Sequence, residues 1–285
     1  MYFFRREKIQ CRYQFSLRDA VDITLLQRAL TAALASAPYY TQRLVQEKRE
    51  MWLEPNTEPC LVYHGSTMRN IPEQTNGYLF CISCEGDTVY FDWHHFLLDG
   101  HGVSPLLTSI LEQYCNLRYG TAFAVPQIVC DPPYDMEAML AEHPPVEGGS
   151  DAIQRDVVQT YEGTLRRTRV CLSKQSLVEK ALANNAKPVS ALMGLLCMAM
   201  REYLGKEKIQ YSYSSDTRDV AGVPHALYNC VCSFEHTVQL QAHTRLADLV
   251  SDIDADIKRD LQPQSKRRRM TEQMGWVYKV DQQKA

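Results

Sequence analysis

No stretch of this sequence stays apolar for long. The most hydrophobic run, Val189 to Met200, is too short to span a bilayer and is closed by Arg201 and Glu202, so it reads as a buried helix and no membrane span is expected. The N-terminus, Met1-Tyr2-Phe3-Phe4-Arg5-Arg6, has no apolar core followed by a cleavage site, so no secretory signal is expected. Charge of one sign is also missing: 31 Lys and Arg stand against 34 Asp and Glu, for a net charge of -3. Without a basic excess, nothing calls for nucleic acid or an anionic membrane as a partner. Glycine is sparse, at 13 in 285 residues, and forms neither GxGxxG nor GxxxxGK followed by Ser or Thr. Nucleotide-binding folds lose their main sequence support with it. No internal repeat is present.

Cysteine, by contrast, is plentiful, with ten at irregular spacings. In the absence of an export signal these are expected as reduced thiols of a cytoplasmic protein. Cys81 and Cys84 make one CxxC, and Cys230 and Cys232 a CxC. A structural zinc site would need two such pairs, or a pair with histidines at finger spacing. Cys81 and Cys84 fall in a strand-like stretch, where an odd offset sends side chains to opposite faces. The pairs therefore read as buried thiols, and no metal is expected. A composition of 45% hydrophobic and 23% charged residues is ordinary for a globular chain. The length allows one large domain or two of average size.

Along the chain, residues 11 to 22 hold a strand-like segment. From Thr24 the period changes: Leu25, Leu26, Ala29, Leu30, Ala33, Leu34 and Ala37 recur every three or four residues and predict an amphipathic helix stopped at Pro38. Two or three strands are expected between Tyr40 and Tyr63, then a turn at Asn76-Gly77. Tyr78 to Ser83, Glu85-Gly86-Asp87 and Thr88 to His95 predict a hairpin. Ser104 is read as the N-cap of the next helix, with Pro105 at its first position and Gly120 at its end. Residues 121 to 152, with Pro132-Pro133, Pro144-Pro145 and Gly148-Gly149, form the clearest linker, which divides the chain into 1-150 and 151-285. The second part predicts a strand near Leu165 to Leu172, helices from Ser176 and Ser190, strands at Ile209 to Ser214 and Cys230 to Leu240, and a helix carrying Leu246 to Leu261. The run Lys266-Arg267-Arg268-Arg269 is read as a solvated helix face, there being no wider basic patch around it.

Chemistry concentrates at Val89-Tyr90-Phe91-Asp92-Trp93-His94-His95 and the residues after it. In a strand running through His95, Val89, Phe91, Trp93 and His95 share one face, and Tyr90, Asp92 and His94 the other. Two histidines pointing apart weaken the reading in which both bind one ion, although Asp99 and His101 are nearby. They fit a division of labour, one imidazole reaching into an active site and the other supporting it. Asp99-Gly100-His101-Gly102 then forces a sharp turn, in which Gly100 and Gly102 allow angles or approaches that a side chain would forbid. A histidine pair and an Asp-Gly turn are each ordinary alone. Four fixed positions at a strand-to-helix junction, HHxxxDG, are far more restrictive.

With His94-His95-Phe96-Leu97-Leu98-Asp99-Gly100 the chain resembles the superfamily of chloramphenicol acetyltransferase, alcohol acetyltransferases, plant acyl-CoA-dependent acyltransferases and nonribosomal condensation domains, most of all the alcohol acetyltransferase-like members. Leu25 to Leu30 running into Ala37-Pro38-Tyr39-Tyr40 is similar to the family's first helix and the strand that follows. Ser190-Ala191-Leu192-Met193 is similar to the start of its long buried helix. Ser215-Asp216-Thr217-Arg218, then Tyr228-Asn229-Cys230-Val231, are similar to the segment with a structural arginine and the next turn and strand. The resemblance implies an α/β (α+β) fold, a CoA-dependent acyltransferase-like two-lobe sandwich.

It implies His95 as general base, taking a proton from an alcohol, amine or thiol as that group attacks a thioester carbonyl, with no acyl-enzyme. A histidine suits this because its unperturbed pKa of about 6.5 leaves a neutral nitrogen near pH 7. It further implies that Asp99 faces away from substrate and pairs with an arginine, for which Arg218 is the candidate; the other reading of Arg218 is a surface charge beside Asp216 and Asp219. His94 is read as a packing and hydrogen-bonding residue, Gly100 as part of the supporting turn, and His101 as an incidental neighbour.

Full members are longer. The first lobe reads as nearly complete and the second as only begun: the late DFGWG motif is absent, Met274-Gly275-Trp276 having other neighbours, and no hydroxyl donor for the oxyanion is assignable. Whether this chain alone is active is left open. Three functions remain: acyl transfer from a CoA thioester such as acetyl-CoA to a small alcohol or amine, with acyl-CoA as co-substrate and no bound cofactor; condensation on carrier-protein thioesters, with a carrier protein as partner; and a silent binding module that keeps the fold.

Overall fold

The structure, a computed structural model, describes residues 10–48, 50–95, 97–142, 144 and 170–282. In chain order the elements are β1 (Gln10–Ser16), α1 (Ile23–Ala35), a 3-10 turn (Pro38–Thr41), β2 (Gln42–Glu47), β3 (Glu50–Pro55), β4 (Val62–His64), β5 (Phe80–Glu85), β6 (Thr88–His94) and α2 (Gly100–Tyr119). They continue with α3 (Met136–Glu142), α4 (Lys174–Ala183), α5 (Pro188–Leu204), β7 (Lys208–Asp216), the single turn α6 (Arg218–Ala221), β8 (Val231–Gln239), α7 (Leu246–Asp260) and α8 (Pro263–Gln282). Two compact units interleave along the sequence: Met1–Asp135, Arg218–Val231 and Trp276–Ala285 in the first, Met136–Thr217 and Cys232–Gly275 in the second. The boundary expected at residue 150 lies outside the described residues.

The first unit is built on a four-stranded sheet ordered β1-β6-β5-β4, antiparallel except for the parallel β4–β5 pair. Its central strand β6 is buried along almost its whole length, which puts the following turn at the edge of a rigid core. The expected hairpin is present: Glu85 pairs with Thr88 across Gly86-Asp87, and Gly86 takes the left-handed φ of 60° that the tight turn requires. Phe80 and Phe91 stack at 5.6 Å from the two partner strands and are fully buried. Burial of that kind contributes roughly 1.5–3 kcal/mol per side chain. Helix α1 buries Leu26, Ala29, Leu30, Ala33 and Leu34, the stripe its periodicity predicts, and starts where the Asp22 carboxylate accepts from the N–H groups of Thr24 and Leu25. Pro38 cannot continue that helix and opens the 3-10 turn that carries Tyr39 and Tyr40. Three strands, β2, β3 and β4, occupy the stretch where two or three are expected, and Asn76 and Gly77 both have positive φ at the expected turn.

Helix α2 corrects an expectation. It begins at Gly100, one turn before Ser104, and its N-cap is Asp99, whose side chain accepts from the Gly102 N–H at 2.8 Å. Pro105 therefore lies inside the helix. A carboxylate caps a helix start as well as a serine does and adds a charge that favours the positive end of the helix dipole. Gly120 ends α2 in the left-handed conformation, as expected.

In the second unit, α5 starts at Pro188, with Ser190 Oγ donating to Asp254 Oδ1 of α7 at 2.7 Å and the Lys187 N–H to the same oxygen at 2.9 Å. Helix α7 buries Leu249, Val250, Ile253 and Ile257. β7 and β8 form a two-stranded sheet, close to the bounds expected. Helix α4 is capped by Ser173, three residues ahead of the expected start at Ser176. The strand expected near Leu165 to Leu172 lies outside the described residues up to 169, and Val170 to Leu172 are irregular. The basic run on α8 is solvated only in part: Arg267 and Arg268 are exposed, but Lys266 is buried and Arg269 Nε donates to Ser233 O. No helix among the described residues is long and apolar enough to cross a membrane.

Candidate active site

All five residues singled out by the sequence lie in the first unit. β6 ends at His94, one residue sooner than expected, and His95 stands in the turn. Strict strand alternation therefore does not reach His95. His94 is buried at 1% exposure, with its backbone N–H donating to Leu79 O, whereas His95 is half-buried.

The turn is pinned at several points. Leu97 N–H donates to His94 O at 3.0 Å, Trp93 Nε1 to Leu98 O at 3.0 Å, and the Tyr39 hydroxyl to Leu97 O at 2.9 Å. The Tyr40 hydroxyl donates to Gly102 O at 2.7 Å. These bonds satisfy carbonyls that an irregular buried segment would otherwise leave without partners.

Asp99 is 2% exposed and uses both oxygens. Oδ1 accepts from Gly102 N–H and from Arg218 Nη2 at 2.9 Å; Oδ2 accepts from Cys230 N–H at 2.9 Å. Burial alone would push its carboxyl up, but the Arg218 guanidinium and the N–H groups of Cys230 and Gly102 outweigh it and hold the group below the usual carboxylate range. Arg218 is 3% exposed, so it is not a surface charge. Its Nε donates to Ala226 O and its Nη2 to Tyr228 O, both at 2.8 Å. The guanidinium thus joins the α2 cap to the loop 226–230. Gly102 makes the approach possible, because a Cβ there would stand 1.8 Å from Leu227 O. Gly100 and His101 are exposed at the first turn of α2.

The loop held by Arg218 delivers a residue that sequence reasoning had not singled out. Asn229 Nδ2 lies 3.1 Å from His95 Nδ1 and donates to His95 O at 3.3 Å. Among the described residues no protein group engages Nε2 of the ring. His95 is therefore a half-buried imidazole held on its Nδ1 side by Asn229. The only signal for Asn229 was its place in the segment Tyr228-Asn229-Cys230-Val231; a separation of 134 residues hides the contact from any local pattern.

No group of three or more His, Cys, Asp or Glu among the described residues could hold a metal ion. Cys81 and Cys84 are both buried, as are Cys230 and Cys232. Met274-Gly275-Trp276 lies within α8.

The mixed α/β architecture is the fold of condensation domains and CoA-dependent acyltransferases. No family model matches the sequence, and no curated protein matches it. Solved structures do. The chain is similar to polyketide synthase associated protein 5 from Mycobacterium tuberculosis, with a TM-score of 0.68 and 19% identity over 91% of this chain and 71% of that one. It is similar to the first condensation domain of the CDA synthetase, with a TM-score of 0.61 and 15% identity over 90% and 70%. TRI101 of F. graminearum, complexed with coenzyme A and deoxynivalenol, matches with a TM-score of 0.60 and 12% identity over 95% and 75%. At these identities the likeness is one of fold.

Proposed function

We propose that this chain is an acyltransferase of the HHxxxDG superfamily, moving an acyl group from a CoA thioester to a small alcohol or amine with His95 as general base. The observation that carries the reading is the half-buried His95 imidazole, held through Nδ1 by Asn229 with Nε2 unengaged, beside the buried Asp99–Arg218 pair. In the step proposed, the acceptor's hydroxyl or amine attacks the thioester carbonyl and loses its proton to His95. The tetrahedral adduct then collapses, and the departing thiolate takes that proton back from the imidazolium. Acid–base balance closes within one residue, and no acyl-enzyme forms. Asp99 and Arg218 act away from substrate, fixing the α2 start and the loop 226–230, while His94 packs beneath. The co-substrate, acetyl-CoA or a longer acyl-CoA, accords with the coenzyme A bound in one of the similar structures. Ten free thiols accord with a reducing, cytoplasmic setting.

A second reading, condensation on carrier-protein thioesters, is favoured by the condensation domain and the polyketide synthase associated protein among the similar structures. One assay separates them. The protein is incubated with acetyl-CoA and a panel of alcohols and amines, and thiol release is followed for wild type and His95→Ala. Turnover in the wild type, lowered on the order of 100- to 10,000-fold in the variant, is the expected result. Consumption of a carrier-protein thioester alone selects the second reading. If neither thioester is consumed and small ligands still bind, both readings fall to a silent binding module.

A further inference from the structure

A neutral imidazole has one nitrogen that donates and one that accepts, and which is which follows from the partner of the other nitrogen. As placed, the Asn229 amide turns its Nδ2 toward both His95 Nδ1 and His95 O. Nδ2 can only donate, so this orientation suits the tautomer in which Nδ1 accepts and the ring proton sits on Nε2. In that state Nε2 has no lone pair to offer. A half-turn of the amide about its last torsion exchanges Nδ2 for Oδ1. The oxygen then accepts from Nδ1–H, and the Nε2 lone pair is released. The cost is the long 3.3 Å bond to His95 O, the weaker of the two contacts by distance, and in its place an unfavourable approach of Oδ1 to that carbonyl oxygen.

We propose that Asn229 is the positioning residue that decides which nitrogen of His95 carries the proton, holding the free protein in the Nε2–H form and the reacting one in the Nδ1–H form. The proposal rests on the general-base reading above. It gives the amide a task that a carboxylate could do in only one direction: an Asp at this position accepts from Nδ1–H and never donates. An amide offers both a donating and an accepting face. In the reacting form the acceptor's proton moves to Nε2, the ring becomes an imidazolium, and Oδ1 keeps its bond from Nδ1–H throughout. Asn229 touches no reacting atom in this scheme. Its position is fixed from both neighbours, since Arg218 Nη2 donates to Tyr228 O and the Cys230 N–H donates to Asp99 Oδ2.

The test is a long-range proton–nitrogen spectrum of the protein with 15N-labelled histidine, recorded without substrate at a pH where the ring is neutral. His95→Ala assigns the resonance. The expected result is an Nε2–H pattern in the wild type and an Nδ1–H pattern in Asn229→Asp. In the thiol-release assay, Asn229→Ala should lose about 10- to 100-fold in kcat, part of what a positioned base supplies, with little change in KM. Asn229→Asp should recover part of that loss. A wild-type ring already in the Nδ1–H form, the same tautomer in wild type and Asn229→Asp, or full kcat in Asn229→Ala would each overturn the proposal. The spectra need no turnover: if they shift as expected while no thioester is consumed, the tautomer assignment stands and the acyl-transfer reading falls.

Discussion

A buried carboxylate has to place two oxygens, and Asp99 places both on groups that shape the site: the start of α2 and the Cys230 N–H, with Arg218 neutralising the charge. Taking away one partner of such a pair leaves the other charged and desolvated, which commonly costs about 3 to 5 kcal/mol. Asp99→Asn is therefore expected to lose about that much unfolding free energy at pH 7. The pH dependence has a definite sign. Because the native carboxyl is held below its ordinary value, the unfolded chain binds the proton more readily. The stability it contributes is complete above the unfolded value of about 3.9 and is lost as pH falls through the lowered native value. Urea unfolding of wild type and Asp99→Asn between pH 7 and pH 3 should show the two curves converging at the acid end; a constant gap would refute the assignment. The pairing of Asp99 with Arg218 was approachable from sequence through the resemblance. Asn229 was not, because an amide in a loop carries no period, and its contact with His95 spans 134 residues.

At the scale of elements, periodicity located α1, α5 and α7, and turn residues located the β5–β6 hairpin, because these depend on neighbours within a few positions. The start of α2 was misplaced because Ser104-Pro105 is a good local cap and start, and Asp99 won by tertiary context: its carboxylate is held in place by Arg218 from another part of the chain. The contact between α2 and the loop 226–230 is tight enough to test. At Gly102 a Cβ would meet backbone, 1.8 Å from Leu227 O and 2.8 Å from Leu227 C, and neither atom can swing aside. At Gly100 it would meet only the end of the Tyr13 side chain, at 3.3 Å. Alanine itself favours a helix by up to about 1 kcal/mol over glycine. Gly100→Ala should thus leave stability near wild type, whereas Gly102→Ala should lose roughly 1–3 kcal/mol or more through forced backbone movement. Since the loop carries Asn229, Gly102→Ala should lower kcat as well. Thermal unfolding and thiol release on the two variants together would check this; equal behaviour of the pair would show that the approach is not limiting.

Across the whole molecule, the ten cysteines bear on the chemistry more than any other composition feature, because a thiol nucleophile is the obvious rival to direct transfer. All ten are free. Burial pushes the Cys81 thiol up to about 12, with Asp92 adding to the effect, and burial pushes Cys197 and Cys232 up to about 11. A thiol so placed is almost entirely protonated near pH 8 and reacts poorly, since the thiolate is the nucleophile. Cys60 is raised further for the same reason, and Cys171 is the exposed member of the set. Sequence spacing already argued for buried thiols over a metal site, but it offered no way to separate Cys171 from the rest, because exposure is set by packing. Titration of the native protein with a maleimide at pH 7 to 8 should show one fast thiol, Cys171, absent in Cys171→Ser, and ten after denaturation. If His95 acts by direct proton transfer, protein alkylated at that one position should turn over a thioester at the unmodified rate. Loss of turnover on alkylation, with retention in Cys171→Ser, would instead place the modified side chain close enough to block the acceptor's path. Loss in both would point to a cysteine in the reaction itself and against the histidine-only scheme.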